Sequence, residues 1–368
     1  MNWWNKIKQH PKFIRTVNWE FWPTKSFWFP LWIYGPIMAI RSGHPCYFTA
    51  ANPGIYTGGL GFESKFTTIM LIPEQYRPKT IIISRNSNYL DIPKALKDAD
   101  IQFPLIIKPD IGFRGVLVKK CDTLEEVILH LSKNPIDFII QDFIDYESEF
   151  GILYYRLPGS KKGHITSITT KDFLFVTGNG HSTVRFLMQQ KNRTILQIER
   201  IEKSNPDLLK SIPKKGEKIS LGEIGNHSKG TTFLDGNHLI NEKLHAVFDK
   251  ISPQIKGIYY GRFDIKARDI EAVENGKFKI IEINGLFAEP THIYDPQHSS
   301  YFKAVSTIMK HSSIVRKIAV KNHRLGTPYM PLKDMLLHIK KLKKYLILVD
   351  CLDKETECDV KETPLSYY

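Results

Sequence analysis

Long apolar runs are missing from this sequence. The longest, Phe27 to Ile40, is 14 residues interrupted by Pro30 and Pro36, whereas a bilayer-crossing helix needs about 20. Cysteine is scarce as well: Cys46, Cys121, Cys351 and Cys358 are spaced too irregularly for a zinc site or a disulfide framework. The start, MNWWNKIKQHPKF, has neither the uninterrupted apolar core nor the small-residue cleavage site of a secretory signal. These absences set the expectation of a soluble protein of a reducing cytoplasm, with peripheral contact at the inner membrane surface left open. Internal repeats, low-complexity tracts and Gly/Ser linkers are also absent, which excludes disorder and fibre. The composition, 42% hydrophobic and 24% charged, is that of a globular chain. At 368 residues, two or three packed units are expected, because domains run to roughly 100–200 residues.

Carboxylates are in short supply in two segments, one at the start and one near the end. Residues 1–43 hold six basic side chains and one acidic, and residues 303–344 hold eleven and one, so most of the net charge of +14 lies there. The middle, residues 44–302, is nearly neutral at 33 against 30. The positive field therefore belongs to the ends. Nucleic acid is not an expected partner, since the central part carries little charge and no recognisable binding module. The segment KDMLLHIKKLKK (Lys333 to Lys344) places Met335, Leu336, Ile339 and Leu342 near one helical face with lysines elsewhere. It suits either an anionic surface or a solvated helix docked on the core.

All six tryptophans (Trp3, Trp4, Trp19, Trp22, Trp28, Trp32) lie in the first 60 residues, where no regular period emerges. From Glu63 onward the periodicity predicts helices over Lys65–Leu71, Ile92–Asp100, Leu124–Ser132 and Val184–Lys191. It predicts strands over Thr80–Ser84, Pro104–Lys108, Val116–Lys119 and Phe138–Phe143, and mostly strand from Glu149 to Ile201. The chain is thus mixed α and β. Borders fall near residues 60, 145 and 305, giving an aromatic-rich region (1–60), two units (61–145 and 146–305) and a basic helical extension (306–368).

The sharpest chemical signal is a pair of predicted strands, YYGRFDIKA (Tyr259 to Ala267) and FKIIEIN (Phe278 to Asn284). Arg262, Asp264 and Lys266 alternate with Phe263, Ile265 and Ala267, as in a half-buried strand, and Glu282 and Asn284 share the face opposite Ile281 and Ile283. Antiparallel pairing through RDIEAVENGK would set Asp264 opposite Glu282. Two facing carboxylates repel unless a cation or base intervenes, and carboxylates with an amide are what magnesium takes alongside phosphate oxygens and water. Lys108 ends a buried run, FPLIIKPD, just before Gly112 and Gly115, and so sets a cation beside backbone able to approach a polyphosphate. Gln141, Asp142, Phe143 and Ile144 then form a polar-apolar edge ahead of Glu149, a layout suited to a hinge that pairs with a purine while a carboxylate holds a ribose.

Taken in order, ESK (Glu63 to Lys65), IIKPDIGFRG (Ile106 to Gly115), QDFIDYESEF (Gln141 to Phe150), VTGNGHSTVRFL (Val176 to Leu187), GNHSKGTTFLD (Gly225 to Asp235), GRFDIK (Gly261 to Lys266) and IIEING (Ile280 to Gly285) resemble the ATP-grasp superfamily of carboxylate-amine ligases. The resemblance covers about residues 63–310. It implies an α+β fold in which two α+β subdomains clasp ATP between antiparallel sheets, preceded here by an atypically short, aromatic-rich region that stands for an abbreviated or replaced first domain. It also implies roles: Lys65 and Lys108 on phosphates, Gly112 to Gly115 as a lid, Gln141 to Ile144 as the adenine hinge, and Glu149 on the ribose. Asp264, Glu282 and Asn284 would hold Mg2+, two ions with Mn2+ able to substitute, and Arg262 would stabilise charge at the transferring group beside Lys108. GNGHST is similar to a GDGKST loop of cyanophycin synthetase-like members, with His181 at the place of its lysine.

The resemblance thus implies an ADP-forming ligase that joins a small carboxylate to an amine, an amino acid or peptide, through an acylphosphate. A phosphotransferase on the same scaffold, or a nucleotide-binding module recruited to a membrane by its basic ends, are the alternatives. From Asn284 the chain reads NGLFAEPTHIYDPQH, unlike the corresponding turn of D-alanine ligases, and His292, Tyr294, Asp295 and His298 there fit an acceptor pocket and a rigid turn equally well.

Overall fold

The computed structural model describes residues 3–113, 115–222 and 230–354. Arg114 of the expected lid, residues 225–229 of the GNHSKGTTFLD segment and residues 355–368 lie outside the described residues.

A four-stranded antiparallel sheet, ordered β1-β4-β2-β3, is built from β1 (Thr80–Ile83), β2 (Leu105–Pro109), β3 (Lys119–Cys121) and β4 (Phe138–Asp142). A five-stranded antiparallel sheet, ordered β11-β10-β5-β6-β9, is built from β5 (Ser148–Arg156), β6 (Gly163–Asp172), β9 (Thr232–Asp235), β10 (Tyr260–Ala267) and β11 (Phe278–Asn284). β7 (Phe175–Thr177) and β8 (Lys218–Ser220) make a separate two-stranded ribbon. The fold is α+β with antiparallel sheets, as expected.

Each sheet buries an apolar face against helices. On the first, Leu105, Ile107, Phe138 and Ile140 are fully buried beneath α6 (Ile92–Asp98) and α7 (Leu124–Lys133). The Thr123 side chain caps α7 by accepting from Glu126 N. On the second, Phe150, Ile152, Phe263 and Ile265 pack on Phe248 of α12 (Glu242–Ile251). Burying such side chains is worth about 1.5–3 kcal/mol each, so the alternation read in β10 is the pattern that holds this sheet to its helix.

Four local expectations differ from the structure. Val116–Lys119 is not a strand: Gly115 and Leu117 take left-handed φ values of 69° and 55°, which no ladder accepts, and extended backbone begins only at Lys119. The link between β10 and β11 is not a simple turn but a short helix, α13 (Ile270–Glu274), capped by Asp269 and closed by Gly276 at φ 69°. The predicted helix over Val184–Lys191 is one turn, α8 (Val184–Met188), followed by α9 (Asn192–Ile195), α10 (Ile198–Ser204) and α11 (Pro206–Lys210).

The fourth difference lies at the start, which is helical despite its lack of visible period: α1 (Trp3–Lys8), α2 (Pro11–Val17), α3 (Thr24–Phe27) and α4 (Phe29–Ser42), with α5 (Lys65–Met70) leading into the first sheet. Pro30 occupies the first turn of α4, where its missing N–H is unneeded, and Gly43 ends the helix in the left-handed conformation. Asn52 staples this region to the larger sheet. Its amide donates to Gly58 O and Tyr260 O, and its carbonyl accepts from Tyr259 N and Tyr260 N, all at 2.8–3.0 Å. Every hydrogen-bonding position of that amide is thereby used.

Two long helices follow the second sheet. α14 (Tyr301–Arg324) packs on α4, and α15 (Leu332–Asp353) returns to the first sheet, burying Tyr345, Leu348 and Val349 in its core. The buried face of α15 runs through Met335, His338, Tyr345 and Val349, while Leu336 and Ile339, read near one face with Met335, are exposed. Spacings of three and four residues follow a seam through this pattern. The Tyr345 hydroxyl, which donates to Ile111 O at 2.5 Å, fixes which seam is used.

Candidate functional site

The register of β10 on β11 sets Asp264 opposite Glu282 and Arg262 opposite Asn284, the arrangement expected from the alternation. A bulge follows Asp264, between Asp264 and Ile265. On the other side β5 pairs with β10 so that Gly151 faces Asp264. A side chain at Gly151 would press on the Arg262 Cδ and Asp264 Oδ1 positions at 3.3 and 3.4 Å, so this glycine keeps the surface over Asp264 open.

The carboxylates are held as anions. Arg262 donates to Asp264 Oδ1 through Nε at 2.8 Å and to Oδ2 through Nη2 at 3.3 Å, and Asn284 Nδ2 donates to Oδ2 at 3.3 Å. Lys171 of β6 stands 3.8 Å from the same oxygen and also pairs with Glu149. Burial works to raise the Asp264 pKa, yet Arg262 and Lys171 outweigh it and hold the carboxyl below its usual range. Burial likewise opposes ionisation of Glu282, but Lys65 and Lys108 lower its pKa on balance. Lys65 Nζ donates to Glu282 Oε1 at 2.6 Å from the first turn of α5, a helix capped by the Ser64 side chain, which accepts from Thr67 N.

Lys108 joins the two sheets. It stands on β2, buried, and donates to Gln141 Oε1 on β4 and to Ile281 O on β11, each at 3.1 Å. Burial, with neighbouring Lys65 adding to it, pushes its pKa down to about 8, against the pull of Glu282. Two oxygen acceptors do not replace the lost hydration of an ammonium group, and so the site holds a cation short of counter-charge.

A cleft opens beside these groups, bordered by Glu63, Lys65, Gly112, Phe113, Glu282 and Asn284 among others. The structure therefore brings Lys65, Gly112, Glu282 and Asn284 to one cleft, with Lys108, Arg262 and Asp264 linked to them by hydrogen bonds, shared charge or strand register. Of the expected hinge, Gln141 carries its amide inward, donating to Thr80 Oγ1 at 3.1 Å. Asp142 ends β4, Phe143 lies under the ammonium groups of Lys120 and Lys266, and Ile144 is half-buried beyond the strand. The Glu149 carboxylate is paired with Lys171. Gly115 lies at a left-handed φ next to Arg114, which is outside the described residues.

Three participants escaped sequence reasoning. Lys171 counters both Glu149 and Asp264. Asp110 accepts from Ser64 Oγ and Phe66 N at 2.9 and 2.8 Å and so ties the glycine-bearing loop to the start of α5. Glu63, quoted only as part of a motif, borders the cleft with one buried carboxylate oxygen that has no hydrogen-bond partner. Burial raises its pKa. The sequence signal for Lys171 was only its place within a stretch read as mostly strand, and which strand it neighbours is a matter of tertiary order.

The side chains after Asn284 are tied to protein groups. Asp295, 2% exposed, accepts from Asp235 N and Gln297 N at 2.8 Å and from His298 Nδ1 at 3.2 Å. His292 Nδ1 meets Ser167 Oγ at 2.7 Å, and the Tyr294 hydroxyl donates to Glu289 at 2.6 Å. All four side chains are engaged with protein groups. Leu286 N and Phe287 N bond to Gly58 O and Gly59 O, so the N-terminal region braces the loop that follows Asn284.

The donor set can be tested against a divalent ion. Among the described residues no three His, Cys, Asp or Glu side chains gather as a metal cluster. Asp264, Glu282 and Asn284, whose carboxylates here accept from Arg262, the Asn284 amide nitrogen and Lys65, are in residue type the two carboxylates and one amide of a magnesium site completed by phosphate oxygens and water. The set fits.

Comparison with known proteins bears on this geometry. No family model matches the chain. In sequence it is 26% identical, over 279 residues, to the glutathione biosynthesis bifunctional protein of Clostridium perfringens (strain 13 / Type A), covering 67% of this chain and 33% of that one. It spans about a third of the length of that curated relative. Among solved structures, similar chains include a bifunctional glutathione synthetase from Pasteurella multocida (15% identity, TM-score 0.37, covering 67% of this chain and 36% of that one). Another is the D-alanine–D-alanine ligase from Bacillus anthracis (14% identity, TM-score 0.41, covering 72% and 69%).

Proposed function

We propose that this protein is an ATP-dependent ligase that joins a small carboxylate to an amine through an acylphosphate, with magnesium. The observation that carries the reading is the meeting of opposite charges from two sheets. Asp264, Glu282, Asn284 and Arg262 come from one, and Lys65 and Lys108 come from the other sheet and its entering helix. A cleft so built suits a polyphosphate that lies between the sheets.

Asp264, Glu282 and Asn284 would hold the magnesium, which supplies charge neutralisation to the phosphate oxygens. Lys65 and Lys108 would bind those oxygens, and Arg262 would stay cationic, since Asp264 and Glu282 hold its pKa well up despite burial. In the first step a substrate carboxylate oxygen attacks the γ-phosphorus, and the bond to the β,γ-bridging oxygen breaks to release ADP. In the second an amine nitrogen attacks the acyl carbon. The C–O bond to phosphate breaks, phosphate leaves with the electron pair, and the nitrogen loses a proton. In this reading Arg262 would donate to the oxyanion of that step. Gln141 to Ile144 serve as the adenine hinge in this reading. Glu149 must exchange Lys171 for ribose hydroxyls to take the part the resemblance implies. The division near residues 60, 145 and 305 belongs to the same proposal, as does action in the cytoplasm on an amino acid or peptide.

Phosphate release from MgATP, with pools of amino acids and small peptides added or withheld, tests it. Pool-dependent release of phosphate and ADP, lost roughly 10³-fold or more in Glu282→Gln with an unchanged circular-dichroism spectrum, is the expected result. A phosphorylated product without free phosphate would replace the ligase with a phosphotransferase. Turnover unaffected by Glu282→Gln would overturn the site.

A further inference from the structure

α4 and α14 together make a surface that the proposed chemistry does not use. Tyr34 of α4 hydrogen-bonds Ser313 of α14 at 2.7 Å, and Leu31 and Met38 are buried on the inner side of α4. The outer side is apolar from end to end: Phe29, Trp32, Ile33, Ile37 and Ile40 are 46–81% exposed. At 100° per residue these five fall within less than half of the helix circumference. An apolar strip of this kind on a surface helix is an interaction site unless something covers it.

The charge beside the strip has one sign. Neither α4 nor α14 contains an aspartate or glutamate, and α14 carries six lysines and arginines. Four of these, Lys303, Lys310, Lys317 and Arg324, recur every seven residues and are all exposed, so they form a nearly straight stripe along the helix. Lys310 is three residues from Ser313, and Lys317 adjoins Arg316, whose guanidinium donates to Arg41 O at the end of α4. The stripe therefore borders the α4 contact. In the first 43 residues the one acidic side chain is Glu20, and it is neutralised by Arg193.

We propose that this face is a docking surface for an anionic lipid bilayer, with the outer side of α4 lying among the acyl-chain ends of the headgroup layer and the α14 stripe on the phosphates. Charge complementarity selects this occupant. A second copy of the same face would bring like charges together, whereas a bilayer offers both a negative surface and apolar depth. Trp32, at one edge of the strip, suits the interface, where one part of the ring is dry and the N–H stays wet. No helix among the described residues is long and apolar enough to cross a membrane, so the contact is along the surface.

The test is sedimentation of the full chain with vesicles of phosphatidylcholine alone or with one third phosphatidylglycerol. Binding to the anionic vesicles and not the neutral ones is expected, weakened at high salt. Lys310→Glu with Lys317→Glu should lower partition about tenfold or more, and Trp32→Ser with Ile40→Ser should lower it as much while the circular-dichroism spectrum is unchanged. Equal partition to neutral vesicles, no partition at all, or partition that survives both double variants would overturn the proposal. Capture of polyglutamate in preference to anionic vesicles would overturn it in favour of an acidic protein partner.

Discussion

The two sheets bring opposite charges to one cleft. The first, with α5, supplies Lys65 and Lys108, and the second supplies Asp264 and Glu282. The consequence is unequal. Asp264 is also countered from within its own sheet, by Arg262 and Lys171, and Glu282 is paired with Lys65 from the first side, whereas Lys108 finds an amide and a backbone carbonyl. Its pKa falls to about 8, while the Asp264 and Glu282 carboxyls are held down. The second sheet is thus a finished ionic network, and the first contributes a cation that has still to meet its partner, the role required of a polyphosphate ligand.

Substitutions can break this asymmetry. Removing the charge from the unfinished side should act on turnover: Lys108→Met should lower phosphate release by about 10²–10³-fold, since such a group acts on charge developed in transfer. Lys79→Met, which removes a lysine paired with Asp100 at the exposed edge of the same sheet, should leave steady-state rates unchanged. A comparable loss in both variants would show that sheet stability and not charge placement is at issue.

On the finished side the larger effect should be on stability. Lys171→Met leaves Glu149 and Asp264 buried with less counter-charge, and breaking a buried pair in this way costs about 3–5 kcal/mol. Urea unfolding should show it as a lowered midpoint with little change in slope. An unchanged midpoint would mean that the two carboxylates are satisfied without Lys171.

The smallest effect is the most specific. Lys108 is half neutral near pH 8 in the free protein, and a bound polyphosphate favours its charged form and so raises its pKa. Above about pH 8, then, ATP binding should take up as much as one proton, and affinity should fall as pH rises, by at most about tenfold per unit. Calorimetry in buffers of different ionisation enthalpy measures the proton directly. Lys108→Met should abolish the uptake, and uptake that persists in that variant would assign it to another group.

The same contrast explains what could be read from the letters. β10 and β11 were legible because Phe263, Ile265 and Ala267 alternate with Arg262, Asp264 and Lys266, and a period of two leaves little choice of face. The pairing of Asp264 with Glu282 was posed from the shared polar face, and the connection it required proved to be a short helix. β3 was misplaced because left-handed backbone at Leu117 has no marker in the residue itself. The helical start was missed because Pro30 and Pro36 obscure a strip that packing on α14 makes regular.

Thus the motif order, the α+β class, the strand alternation and the residue types of the cleft were determined by the sequence alone, because they depend on local period and chemical kind. Tertiary structure decided that Lys108 reaches Ile281 O, that Lys171 serves both Glu149 and Asp264, and that α15 closes on the first sheet through Tyr345. Each of those contacts joins residues distant along the chain. Their energy depends on desolvation and register together, and neither exists until the strands have found their neighbours.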